Sequence, residues 1–145
     1  NPNDLSRMQV FLTQNGVDVV IGSRYKTGVN VVNWPIQRVL ISYFASWYAR
    51  MITGTPIMDL TSGFVGYKAK VLNQVLNNGV KFKGYAFQIE MKFKAHNLKY
   101  NLYEIPIIFT DRVKGSSKLN LSIISEAIFG LITMKINQIF SNFFR

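Results

Sequence analysis

Hydrophobic positions along this chain follow two rhythms, and the rhythm predicts its elements. Leu5, Met8 and Leu12 recur at helical spacing within residues 1–15, which read as a turn leading into a short helix. Asp18 to Arg24 is a short apolar run ending in Gly22 and Ser23, the profile of a buried strand that delivers Arg24 to a sheet edge. Tyr25 to Val32, with Lys26 and Gly28, reads as a loop. From Asn33 to Gly54 the period is helical again. Ile36, Leu40, Tyr43, Phe44, Trp47 and Met51 make one stripe, which predicts a face built for burial. Asn33 suits an N-cap, Pro35 a first helical turn and Gly54 a C-terminal stop. A second line on this helix runs Arg38, Ser42, Ala45, Ala49. It opens with a cation and a hydroxyl one turn apart and continues with methyl-sized side chains. Such a line can hold an anionic head while something long and apolar lies along it. It also fits an ordinary amphipathic helix with Arg38 solvated.

Thr55 to Thr61 leads into Ser62–Tyr67, a predicted strand with close backbone approach at Gly63 and Gly66. Lys68 to Asn78 is a predicted helix (Val71, Leu72, Val75, Leu76) closed by Gly79. Tyr85 to Asn97 is another, with Phe87, Met91 and Ala95 inward. Leu102 to Thr110 reads as a strand whose Pro106 calls for an edge or a bulge. Asp111 to Lys118 is a polar loop, and Leu121 to Phe143 a final apolar helix. Helices alternating with strands predict an α/β sheet domain, although the strands are few for a complete one. No repeat or low-complexity tract interrupts the pattern.

Composition narrows the partners. The 145 residues suffice for one domain with a real core, and at 48% hydrophobic the chain is too apolar for disorder. Seventeen Lys and Arg against seven Asp and Glu give a formal charge of +10, which points to an anionic partner: nucleic acid, phospholipid headgroups or a phosphorylated substrate. The cations are spread over several elements, with no aromatic RNA-binding signature and no zinc spacing, which argues against nucleic acid. With no cysteine there is neither a disulfide framework nor a thiolate metal site. No run reaches the roughly 18 apolar residues of a membrane span. The chain opens on Asn1-Pro2-Asn3-Asp4-Leu5 without a methionine and reads as a fragment or a processed form.

Five stretches in order carry a family resemblance. They are Gly22-Ser23-Arg24-Tyr25; Asn33-Trp34-Pro35 with Arg38 and Ser42; Asp59-Leu60-Thr61-Ser62-Gly63-Phe64; the segment Gly84 to Met91; and Arg112 to Lys118 around Gly115-Ser116-Ser117. Together they closely resemble the polyprenyl-phosphate (dolichyl-phosphate) mannosyltransferases, inverting GT-A glycosyltransferases of family 2. The resemblance runs from Asn1 to about Ala127. It implies an α/β fold corresponding to the C-terminal, acceptor-side half of a Rossmann-like GT-A domain, with residues 1–118 in the catalytic domain and 119–145 forming an interfacial helix. In the family the segment resembling Asn1 to Leu5 follows an Asp-x-Asp motif that binds a divalent metal, Mg or Mn, and the sugar nucleotide. That motif is absent here. The expectation is therefore no metal site in this chain and no productive sugar-nucleotide binding by it alone.

The implied reaction is inverting attack of a polyprenyl phosphate oxygen on the anomeric carbon of GDP-mannose. Such an acceptor is already anionic near neutral pH, since the second pKa of a phosphate monoester is about 6. It needs positioning more than a general base, which fits a chain with one histidine and no obvious catalytic dyad. The resemblance places Arg24, Arg38, Ser42, Arg112, Ser117 and Lys118 at the acceptor phosphate, and Asp59, Gln88 and Glu90 near the reacting centre. For Asp59 an Asx turn, and for Glu90 a structural ion pair, remain open readings. Arg112 to Lys118 also reads as a solvated basic turn. His96 has no acidic, His or Cys companion in the sequence around it and reads as a surface helix residue. Ser125, Glu126, Lys135, Asn137 and Gln138 interrupt the last helix too often for a span, so it is expected to lie in the membrane interface on the cytoplasmic side, peripherally attached. A helix packed on the sheet or on a partner subunit is the other reading. Transfer of glucose or an N-acetylhexosamine instead of mannose, and a non-catalytic anionic-lipid binding module, are the alternatives.

Overall fold

A computed structural model describes residues 2–14, 16–110 and 121–143. Its elements are α1 (Pro2–Thr13), β1 (Val19–Ser23), β2 (Val31–Val32), α2 (Ile36–Thr53), β3 (Val65–Tyr67), α3 (Ala69–Asn77), α4 (Gly84–Asn97), β4 (Leu102–Pro106), β5 (Phe109–Thr110) and α5 (Leu121–Phe143).

The predicted strand at Asp18–Arg24 organises the rest. All five residues of β1 are buried, as expected of a β-branched run covered on both faces. β1 is the middle strand of a three-stranded sheet ordered β3-β1-β4. It pairs antiparallel with β3, Val19 opposite Tyr67, and parallel with β4, from Val19 opposite Leu102 to Ser23 opposite Pro106. Pro106, which has no N–H to donate, closes β4 at the sheet edge. Beyond it Ile107 donates to the Ser23 carbonyl (3.0 Å), and the predicted single strand resumes as β5, parallel to β2.

Side chains alternate across β1. Val19 and Ile21 enter the larger core with Ala49, Leu60, Val75, Ile89 and Leu131, supplied by α2 to α5 and the loop after α2. Val20 faces the other way, with Met8, Ile105 and Ile107 under α1. The chain is thus a mixed α/β unit with a small sheet between helices. Among the described residues no helix is long and apolar enough to cross a membrane.

Several sequence expectations need correction. Asn33 is not an N-cap: it holds a left-handed φ of 61°, and Pro35 occupies the cap position, its carbonyl accepting from Arg38 and Val39. Gly54 does close α2, at φ 70°. The largest correction is the face of α2. Ile36, Leu40, Tyr43, Phe44, Trp47 and Met51 are not buried; their exposures run from 42% at Tyr43 to 68% at Ile36. The inward side carries Ser46, Ala49 and Thr53, small residues that let the helix backbone approach the sheet closely. Leu5 and Leu76 are likewise exposed, leaving Met8 on α1 and Val71 and Val75 on α3 as the inward anchors. On α5, Leu131 and Met134 face the core, and Gly130 admits the Phe82 ring, which a Cβ would meet at 2.7 Å. Phe129, Ile132, Ile136, Ile139 and Phe140 point outward.

Candidate functional site

The carboxyl end of β1 and the N-terminal half of α2 converge on the loop between α2 and β3, residues 54–64. Arg24 is the meeting point. Its backbone N–H and Nε donate to Asp59 Oδ2 (3.0 and 2.7 Å), and Nη2 donates to Asp59 Oδ1 (2.7 Å) and Thr61 Oγ1 (2.8 Å). Bidentate pairing of this kind fixes the guanidinium plane as well as its charge. Burial alone would lower the Arg24 pKa, but Asp59 outweighs it and the value is raised, so the side chain stays a cation. Nη1 makes no hydrogen bond among the described residues.

The loop that carries Asp59 is pinned from four elements. Ser46 of α2 shares a hydrogen bond with Thr61 (3.0 Å). Glu104 of β4 accepts the N–H groups of Met58 and Asp59, each at 2.9 Å. Ser62 donates to the Gly22 carbonyl of β1 (2.6 Å). Lys92 of α4, wholly buried, donates to the carbonyls of Leu60 (3.0 Å), Ser62 (2.7 Å) and Gln88 (3.0 Å). Those three acceptors match the three N–H bonds of an ammonium group. Burial nevertheless pushes the Lys92 pKa down to about 7, against the pull of Asp59 and Glu104.

Above this network lies an aromatic and cationic cluster. The Arg38 guanidinium stands 3.9 Å from the Trp34 ring centroid, and that of Arg24 stands 5.4 Å from the same ring and 5.2 Å from Tyr25. One indole therefore brings two like charges together, which cation–π attraction makes tolerable. Tyr43 packs edge-on against Tyr25 (5.4 Å) and Phe109 against Trp34 (5.4 Å). Burial raises the Tyr25 pKa, while Ser42 and Arg24 act in the opposite direction. An open cleft of about 300 Å³ runs past Arg24, Ser62, Gly63, Phe64, Ile107 and Phe109.

Arg24, Arg38 and Ser42 are thus drawn to one place, as the resemblance implies, and Asp59 joins them through Arg24. Asp59 is fully buried and its oxygens are taken by Arg24, Thr61 and Ser46, so it braces the cation rather than opening onto a substrate. Gln88 lies beside Gly63, where an added Cβ would stand 3.8 Å from its amide. Glu90 accepts the N–H groups of Lys81 (3.0 Å) and Phe82 (2.9 Å) and pairs with Lys94 (3.2 Å), the geometry of a brace for the segment entering α4. Arg112, Ser117 and Lys118 lie outside the described residues. His96 is partly buried, and burial with Lys99 and Lys135 lowers its pKa. Among the described residues no three His, Asp or Glu side chains lie together as metal ligands.

Sequence reasoning missed Glu104, Lys92, Ser46, and Tyr25 and Trp34 as side chains of the site. The one usable signal was at Lys92, a cation with Ile89 and Ala95 three residues to either side on the helix, blurred by polar Gln88 and His96 four residues to either side.

No family model matches the chain. It is 41% identical over 128 residues to the polyprenol monophosphomannose synthase of Mycolicibacterium smegmatis, covering 88% of this chain and 48% of that protein. It is 39% identical over 111 residues to the undecaprenyl-phosphate mannosyltransferase of Micrococcus luteus, covering 77% and 46%. The chain spans about half the length of the curated relatives it matches. Identity at this level over most of the chain bears out the resemblance read from its motifs: the chain is homologous to part of the polyprenyl-phosphate mannosyltransferases.

Proposed function

We propose that this chain forms the acceptor side of an inverting glycosyltransferase that moves mannose from GDP-mannose to a polyprenyl or dolichyl phosphate. The observation that carries the reading is the pair of guanidiniums, Arg24 and Arg38, gathered on one indole at the end of β1 and the start of α2. They stand in a chain whose relatives bear polyprenol and mannose in their names. In this reading the acceptor phosphate lies between the two arginines and near Ser42, while Asp59, Thr61 and Glu104 keep Arg24 from turning away. A phosphate oxygen attacks the anomeric carbon, the bond from that carbon to the donor's phosphate oxygen breaks, and the nucleotide leaves as an anion. No proton has to be taken from the acceptor, since its oxygen is already anionic. Fixed cations offset the repulsion between acceptor and donor phosphates.

A membrane surface, met from the cytoplasmic side, is part of the proposal. The exposed apolar side of α2 and the outward side of α5 belong to helices packed on each other, beside the phosphate site that α2 itself helps to build. Interfacial docking would bring a lipid-linked phosphate to Arg38 at headgroup depth. The donor nucleotide and its Mg or Mn ion are assigned to the part of the relatives that this chain does not span.

The test is transfer of labelled mannose to a polyprenyl phosphate by the full-length protein with a divalent metal. Product from GDP-mannose is expected. Product from UDP-sugars only would overturn the choice of sugar, and no product from any donor would overturn the reading.

A further inference from the structure

Two buried donors at the phosphate site complete no hydrogen bond of normal geometry among the described residues, although Ser42 lies close enough to the Tyr25 hydroxyl to lower its pKa. They are the Trp34 indole nitrogen and the Tyr25 hydroxyl, both sealed from solvent, and Tyr25 as a whole is 3% exposed. Leaving such a group unpaired is costly, and folded proteins carry few of them. These two share a neighbour, since both rings flank the Arg24 guanidinium and the indole also bears Arg38. The other two such hydroxyls described outside this cluster, on Thr55 and Tyr67, make no ring contact with either arginine.

We propose that Trp34 Nε1–H and Tyr25 Oη–H are held empty for the ligand and donate to oxygens of the anionic group seated between Arg24 and Arg38. This rests on the reading above, that the group is a phosphate monoester. An indole N–H can only donate, so the ligand must accept, and a phenol kept protonated by burial does the same. Phosphate suits the set, because its three terminal oxygens offer more acceptor positions than two guanidiniums would fill in a fixed geometry. The indole then has two parts to play: it spaces like charges with its ring and binds with its edge. Both residues are positioning groups for the acceptor and take no part in bond making.

A donor held unpaired in the free protein gives two effects of opposite sign when removed. Tyr25→Phe keeps the ring and its packing, so the unliganded protein should melt at the same temperature or higher. The same change should raise KM for a short polyprenyl phosphate about 10-fold with kcat changed less than about 3-fold, the pattern of lost uniform binding. Trp34→Phe retains an aromatic surface for the arginines and should raise KM by a similar factor. The full-length protein is assayed by mannose transfer and by thermal unfolding without ligand, with Arg38→Ala alongside. Unchanged KM in both aromatic variants, with KM raised by Arg38→Ala, overturns this inference and leaves the phosphate site standing. A lower melting temperature with unchanged KM for Tyr25→Phe also overturns it, because the hydroxyl would then be a structural donor. If Arg38→Ala changes nothing either, the phosphate reading beneath falls and takes this one with it.

Discussion

Asp59→Ala is expected to remove about 3–5 kcal/mol of folding stability, the cost of stranding a buried charge whose partner has been deleted. Arg24 is the charge that would be stranded. It is buried, and three of its four hydrogen bonds end on the Asp59 carboxylate, the fourth on Thr61. Among the described residues no second carboxylate stands ready to replace it: Glu104 is committed to the backbone N–H groups of Met58 and Asp59. Against a typical total stability of 5–15 kcal/mol this is a large fraction, so expression and the urea midpoint should both fall. Asp59→Asn keeps the shape and some hydrogen bonding, and should cost less. Urea unfolding of the three proteins at neutral pH decides the matter. An alanine variant within about 1 kcal/mol of wild type would mean that Arg24 finds its compensation elsewhere.

The second large effect concerns Lys92, and it depends on pH. In the fold its pKa is lowered from 10.5 to about 7, so between those values the unfolded chain holds a proton that the folded protein has released. Stability rises with pH wherever the unfolded state binds more protons. The burden of charging Lys92 is therefore full below about pH 7 and lifts progressively up to about 10.5. Lys92→Met removes the titration and leaves the carbonyls of Leu60, Ser62 and Gln88 without their donor. The gap in stability between wild type and Lys92→Met should widen in favour of wild type as pH rises from 7 to 9, by at most about 1.4 kcal/mol per pH unit. Urea midpoints of both proteins at pH 6, 7.5 and 9 measure it. A gap that stays constant would show that Lys92 keeps its proton throughout, held by its three carbonyls and by Asp59 and Glu104.

Much of the scaffold was legible in the sequence because local chemistry settles it. A continuous Val-Val-Ile run has the profile of a covered strand, Pro106 called for an edge or a bulge and closes an edge, and Gly54 and Gly79 could stop helices in left-handed conformations. What stayed hidden is what local chemistry leaves open. The stripe from Ile36 to Met51 has the period of a helix face, but a period does not say what will cover that face. Here the closer packing is done by Ser46, Ala49 and Thr53, and the large side chains turn away from the core. The acidic motif residues show a similar limit. A carboxylate at a strand start or helix start reads the same whether it meets a ligand or a neighbouring cation; Asp59 and Glu90 both meet cations and backbone donors. The partners of Glu104 and Lys92 were invisible because they lie more than 25 positions away, apart from the Gln88 carbonyl one turn before Lys92.

The central claim is that Arg24, Arg38 and their surroundings take the phosphate of a lipid-linked acceptor. Its most direct measurement is flotation of the full-length protein with phosphatidylcholine vesicles carrying either polyprenyl phosphate or the unphosphorylated polyprenol, for wild type and Arg38→Ala. Losing charge-assisted hydrogen bonds worth about 1.5–3 kcal/mol should weaken binding at least about 10-fold. Wild type is expected to favour the phosphorylated lipid by at least that factor, and Arg38→Ala to lose the preference while still touching the membrane. Equal binding of wild type to both vesicles, or an undiminished preference in Arg38→Ala, would contradict the account.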